Sequence, residues 1–173
     1  FANMRPDIAS LAPSGFSSDS RIWIFQAHRP LTENETEWLR AQLKPWVTDW
    51  KAHAEPVKGW AEVLFQQFMI FVADTAVVPV SGCSMDNLMR FVQRLGHALQ
   101  VNWFDRLQIA LWQNGKISSY PLDKIEEMWA SGQLDAETCY FNNTIQTLAA
   151  WRDSWILPLQ EGWLGERLGM QVA

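Results

Sequence analysis

Apolar and polar positions along this chain repeat in short blocks whose period switches between two and nearly four, the mark of a mixed sheet-and-helix protein. The run Arg21-Ile22-Trp23-Ile24-Phe25-Gln26 is aromatic and β-branched, which predicts a strand. Thr32 followed three residues later by Glu35 predicts a capping box. Trp38, Leu39, Leu43, Trp46, Val47 and Trp50 then recur at helical spacing. Pro45 lies inside that series and predicts a kink or a split into two helices, because proline removes an internal hydrogen bond. Residues 60–65 and Phe68–Ala73 read as a hairpin, although neither Gln66 nor Gln67 favours the positive φ of a tight turn. A linker after Asp74 ends in Ser81-Gly82-Cys83-Ser84. Met85, Leu88, Val92, Leu95 and Leu99 then form one helical stripe, with the helix starting at Ser84 or Met85. Residues 106–112 predict a strand, and Asn114-Gly115 a hairpin turn into a second strand over 116–120. A short helix over 122–129 closes near Gly132, and residues 138–141 read as a further strand. A polar stretch and a tail with Trp151, Trp155 and Trp163 follow, and no internal repeat is present.

Over residues 21–112 the order is strand, helix, strand, strand, helix, strand, which is that of the ferredoxin-like βαββαβ motif. The predicted fold is therefore α+β, a sheet with two helices on one face. The added hairpin, short helix and Trp-rich tail are free to cover the other. Three segments are expected: a loose Ser/Pro/Ala-rich arm over 1–20, a core over 21–141 and a tail over 142–173. The tail packs on its own core or, in a homodimer, on a second copy.

Composition narrows the function classes. The 173 residues are 48% hydrophobic and 19% charged, enough for a full-sized core and against disorder. A net charge of -5 offers no general attraction for phosphate backbones or anionic membranes, so neither nucleic acid nor membrane is an expected partner. The longest apolar run, Phe68–Ala73, is far too short to span a bilayer. Residues 1–20 lack the basic start and apolar run of a signal peptide, so a cytoplasmic location is expected. The 11 tryptophans exceed the roughly two or three of an average chain this long. They read first as an aromatic core and second as a stacking surface for sugars, bases or a partner.

The two cysteines, Cys83 and Cys139, do not form a disulfide framework, although one bridge between them is open. His28, His53 and His97 are scattered and no zinc spacing occurs, so no metal or other cofactor is expected. No Gly-rich run ends in Gly-Lys-Ser/Thr, which excludes a P-loop. The strongest pointer to chemistry is Ser81-Gly82-Cys83-Ser84-Met85-Asp86, a thiol at a helix start, where the dipole and free N–H groups favour a thiolate. Ser81 and Ser84 could donate hydrogen bonds there, Gly82 permits close backbone approach, and Asp86 answers the helix dipole. In a βαββαβ fold the first helix ends on the edge where the second begins. His53 is then the histidine on the Cys83 side, a candidate base for a Cys83 nucleophile. The plainer reading makes Cys83 a buried packing residue and Ser84 the N-cap. Asn142 and Asn143 read as turn residues that could also orient a ligand. Two function classes follow: a module binding a small molecule or protein without catalysis, with Ser81, Gly82, Ser84, Asp86, Asn142 and Asn143 as its candidate ligand-binding residues, and a thiol-dependent enzyme using Cys83 and His53.

Several pieces resemble an uncharacterised bacterial family often labelled as an ABC transporter ATPase. They are residues 21–26, Trp50 with His53, Ser81-Gly82-Cys83-Ser84-Met85-Asp86, Phe104-Asp105-Arg106, Phe141-Asn142-Asn143, and Trp155, Pro158 and Trp163. The resemblance runs through most of the chain in order and implies no mechanism. The ATPase label has no phosphate-binding loop to rest on here. The family pattern has glycine after His53, where this chain has Ala54.

Overall fold

The computed structural model describes residues 5–170; the first four residues of the predicted arm and the last three of the tail lie outside it. The chain is α+β and forms two compact units. One comprises Pro13–Asp105 with Gln146–Trp151. The other comprises the segment ending at Ala12, Arg106–Ile145 and the segment beginning at Arg152. Boundaries expected at residues 21 and 142 therefore move, because strand pairing between distant segments decides where the units divide.

The first unit holds β1 (Arg21–Gln26), α1 (Glu33–Thr48), β2 (Lys51–Ala52), β3 (Glu55–Pro56), β4 (Gly59–Leu64), β5 (Phe68–Ala73) and α2 (Gly82–Leu99). β1, β5 and β4 form an antiparallel sheet in the order β1-β5-β4, with Ile24 and Glu62 both opposite Ile70. All six residues of β5 are buried, as a central strand requires. Trp23, Phe25, Met69 and Phe71 share a core with Leu39 and Leu43 of α1 and with Leu88, Phe91, Val92 and Leu95 of α2. Trp46 stacks on Phe91 at 4.6 Å between ring centroids.

The fourth ferredoxin-like strand is absent from this sheet. The segment expected there is β6 (Gln108–Gln113), which pairs with β7 (Lys116–Pro121) on one side and β8 (Cys139–Phe141) on the other. Asn114 and Gly115, at φ 52° and 74°, close the β6–β7 hairpin locally, at little cost in loop entropy. With both edges paired, β6 has none left for β1. Gln146 and Thr147 meet the outer edge of β1 instead: the Ile22 N–H donates to the Gln146 carbonyl at 3.0 Å, and Arg21 bridges Thr147.

The second unit carries an antiparallel sheet in the order β7-β6-β8-β9, with β9 at Ile156–Pro158. α3 (Leu122–Ala130) buries Ile125 and Met128 in the same core as Ile109 and Leu111. The predicted loose arm is partly ordered, with a 3₁₀ turn at Ala9–Leu11 and the Arg5 guanidinium donating to the Ile156 carbonyl. The tail is not an exposed aromatic surface. It contains α4 (Leu148–Ser154) and α5 (Trp163–Arg167), and Trp151 and Trp155 are fully buried. Of the 11 tryptophans only Trp38 counts as exposed, so the aromatic-core reading accounts for them. Both cysteines are free, and no bridge forms.

Two local expectations change. α1 runs unbroken through Pro45, which falls in its last turn, where only the Ala41 carbonyl loses its N–H partner. The β4–β5 hairpin turns with Phe65 and Gln66 at φ 56° and 52°. Tertiary bonds hold this unfavourable turn: the Gln67 side chain donates to the Ala27 carbonyl at 2.7 Å, and the Leu31 N–H donates to the Gln66 carbonyl at 2.8 Å.

The β2–β3 hairpin turns on His53 and Ala54, at φ 52° and 66°. A left-handed alanine costs roughly 1–2 kcal/mol, and glycine returns part of that gain through its looser unfolded chain. Ala54→Gly is therefore expected to stabilise the protein by about 0.5–1 kcal/mol, read as a higher urea midpoint at unchanged slope.

Candidate functional site

The residues around Cys83 assemble from two elements. The N-cap of α2 is Ser81, not Ser84. Ser81 Oγ accepts from the Ser84 N–H at 3.1 Å. Ser84 Oγ accepts from the Ser81 N–H at 2.9 Å and donates to the Ser81 carbonyl at 2.7 Å. This is a capping box in which a second serine takes the place usually held by Glu or Gln, so both hydroxyls are committed to the helix start. Gly82 is not needed for close approach, since a Cβ there would meet nothing within 4 Å. Asp86 is exposed and lies beyond the first turn.

Cys83 is exposed rather than a buried packing residue; the buried thiol is Cys139, whose pKa desolvation raises. The Trp50 indole donates to the Ser84 carbonyl at 3.2 Å, which ties the end of the α1 segment to the start of α2. His53 sits exposed at the tip of the adjoining β2–β3 hairpin. No hydrogen bond joins Cys83 to His53 among the described residues. The geometry is an exposed thiol at the second position of an 18-residue helix, without a bonded base or an available hydroxyl.

Asn142 and Asn143 belong to the second unit and act within a turn. Asn142 Oδ1 accepts from the Thr144 hydroxyl at 2.5 Å and from its N–H at 3.3 Å, an Asx-type turn. Asn143 Oδ1 accepts from the Trp155 indole N–H at 2.9 Å, satisfying a buried tryptophan.

A second constellation, not singled out by sequence reasoning, lies at the other end of α2. Gln100 ends the helix in the left-handed conformation, φ 54°, and the N–H groups of Gln100 and Val101 both donate to the Gly96 carbonyl. A Cβ on Gly96 would stand 2.7 Å from the Val101 carbonyl and 3.3 Å from the Trp103 ring, so the chain can fold back here only over a glycine. Asn102 is held from both sides: its N–H donates to His28 Nδ1 at 3.0 Å, and its carbonyl accepts from the His28 N–H at 3.2 Å. Asn102 Oδ1 accepts from the Phe104 N–H at 2.9 Å. The result is an open cleft of about 390 Å³ lined by Gln93, Gly96, His97, Gln100, Val101, Asn102, Trp103 and Phe104. Phe104 meets Phe25 edge-on at 5.8 Å and is 43% exposed, whereas Trp103 is buried with its indole N–H unpartnered among the described residues. The readable signal was two aromatics flanked by amides just past a helix end, Gln100-Val101-Asn102-Trp103-Phe104.

Arg29 fastens the same end of α2. Its guanidinium grips Glu35 through two bonds of 2.9 and 2.8 Å and donates to the Leu99 carbonyl at 2.9 Å. The Arg29 bond, and then the bond from the Thr32 N–H, lower the Glu35 pKa from 4.5 to about 2. A depressed carboxyl contributes stability that is complete above its unfolded pKa and is lost as pH falls through the folded one. Wild type is therefore expected to lose roughly 1–2 kcal/mol between pH 5 and 2 that Glu35→Gln does not lose, screening at a third-exposed arginine being allowed for. Urea unfolding of both proteins across that window measures it.

Fold and site together define an α+β protein with an exposed helix-start thiol and, at the far end of the same helix, a polar cleft lined by no Asp, Glu, Lys or Arg. No protein-family model, curated protein or solved structure matches the chain. Among the described residues no helix is long and apolar enough to cross a membrane, and no cluster of His, Cys, Asp and Glu could hold a metal ion.

Proposed function

We propose that this protein is a non-catalytic binding module for a small molecule, with its ligand seat in the cleft at the C-terminal end of α2. One observation carries the reading: four residues with hydrogen-bonding side chains, Gln93, His97, Gln100 and Asn102, line one cleft together with the exposed Phe104. Few convergent polar groups beside an aromatic wall are the usual make-up of a small-ligand site. The Gly96 fold-back and the paired His28–Asn102 bonds support it, because they fix the wall before any ligand arrives. A three-stranded variant of the ferredoxin-like core in the first unit, a cytoplasmic location and kinship with the uncharacterised bacterial family belong to the same proposal. A fragment screen read by ¹⁵N NMR tests it. Hits should shift the backbone amides of residues 96–104 and lose those shifts in Phe104→Ala; hits confined to other surfaces overturn it.

The exposure of Cys83 at the first turn of α2 favours a second reading, a thiol-dependent enzyme with His53 as base. Its measurement is the alkylation rate of Cys83 against pH, with buried Cys139 as internal control. The enzyme reading requires fast labelling with a midpoint well below an ordinary thiol, slowed in His53→Ala. Labelling at the rate of an ordinary exposed thiol, unchanged in that variant, removes it.

A further inference from the structure

Resting on the cleft as the binding site, the geometry points to a neutral, polyhydroxylated ring, a saccharide or cyclitol, as the class of ligand it takes. No aspartate, glutamate, lysine or arginine lines the cleft. An anionic ligand such as a phosphate ester would find no lysine or arginine and would sit at the negative end of the α2 dipole. A cationic amine would find no carboxylate. What the walls do offer is matched pairs of donors and acceptors. Each Gln amide carries both, as each sugar hydroxyl does. Asn102 has already given its Oδ1 to the Phe104 N–H, so it presents its amide NH₂ as donor.

The aromatic side favours a sugar over a nucleobase. A flat base gains most when stacked between two ring faces, and only one ring is open here: Phe104 is 43% exposed while Trp103 is 3% exposed. A pyranose needs one such platform, since it lays its C–H face on the ring and turns its hydroxyls outward to the surrounding amides. The open cleft, about 390 Å³, is at the small end of ligand sites and suits one or two sugar rings rather than a long chain.

The experiment titrates ¹⁵N-labelled protein with five probes: N-acetylglucosamine, glucose, myo-inositol, adenosine and inorganic phosphate. One or more of the three polyol rings should shift the amides of Gly96, Asn102 and Phe104 with millimolar affinity, and adenosine and phosphate should not. Phe104→Ala should weaken the effect about tenfold or more. Gln93→Ala, an exposed change that does not touch the core, should weaken it as well and guards against a folding artefact in the first variant. Shifts at these amides with adenosine or phosphate but with no polyol overturn the ligand class and leave the cleft standing as a site. No shift with any of the five overturns the class, and the fragment screen then decides the cleft separately.

Discussion

Phe71→Ala is expected to cost about 4 kcal/mol, a large part of the roughly 5–15 kcal/mol that holds a domain together. Phe71 is fully buried at the centre of β5. Its ring meets Phe25 at 5.9 Å, Trp46 at 5.7 Å and Phe91 at 6.3 Å, each edge-on. It thus touches the β1, α1 and α2 aromatics together. Truncation removes transfer energy, three ring contacts and the filling of the space between the sheet and both helices. The cavity can collapse little, because the Trp46–Phe91 stack is already in contact. Thermal unfolding should shift down by about 10 °C. Phe71→Leu keeps most of the volume and should cost less than half as much. Equal losses in the two variants would mean that this cluster is not the core of the unit.

Asp74→Ala is expected to cost about 3 kcal/mol although it removes only one small side chain. Asp74 follows β5 with its side chain 6% exposed. Oδ2 accepts from the Ser17 N–H at 3.0 Å and Oδ1 from the Ala76 N–H at 3.1 Å. Lys58 Nζ stands 3.8 Å away, lies over the Phe16 ring and also donates to the Gly15 carbonyl. The carboxylate therefore joins residues 15–17 and the linker after β5 to the β4–β5 hairpin. Lys58 is 40% exposed, so its charge contributes little beside the two amide bonds. Asp74→Asn keeps one acceptor oxygen and should cost about half as much. Hydrogen exchange locates the effect: the Ser17 and Ala76 amides should lose protection in Asp74→Ala. If they stay protected, the carboxylate is not what holds that segment.

The Asp74 hub shows where sequence reasoning stops. Asp74 was legible as the residue that ends an apolar run, but its partner Ser17 lies 57 positions away, and spacing carries no trace of that bond. Local features were legible. Thr32 and Glu35 form the expected capping box, with bonds of 3.1 and 2.9 Å. Asn114-Gly115 turns the β6–β7 hairpin, and Gly132, at φ 77°, closes α3. Ser81 was missed as N-cap because the reciprocal partner is a serine, a rarer choice than Glu or Gln at that position. Element order drew His53 toward the α2 start, where the Trp50–Ser84 bond ties in the neighbouring segment, yet order could not say whether a base and a thiol meet.

What the sequence by itself determined, with β2, β3, β9, α4 and α5 left unread, is the identity of β1, α1, β4, β5, α2, β6, β7, α3 and β8, the α+β class and the absence of a P-loop. Those depend on periodicity, caps and turn residues within a few positions of one another. Tertiary structure alone decided which strands share a sheet, that Gln146 and Thr147 rather than β6 border β1, and that Cys83 is exposed. It also decided that the chain past α2 folds back over Gly96 into a cleft. Each of these outcomes depends on contacts between residues far apart in the chain, where pairing is chosen by competition among edges and faces that no local window records.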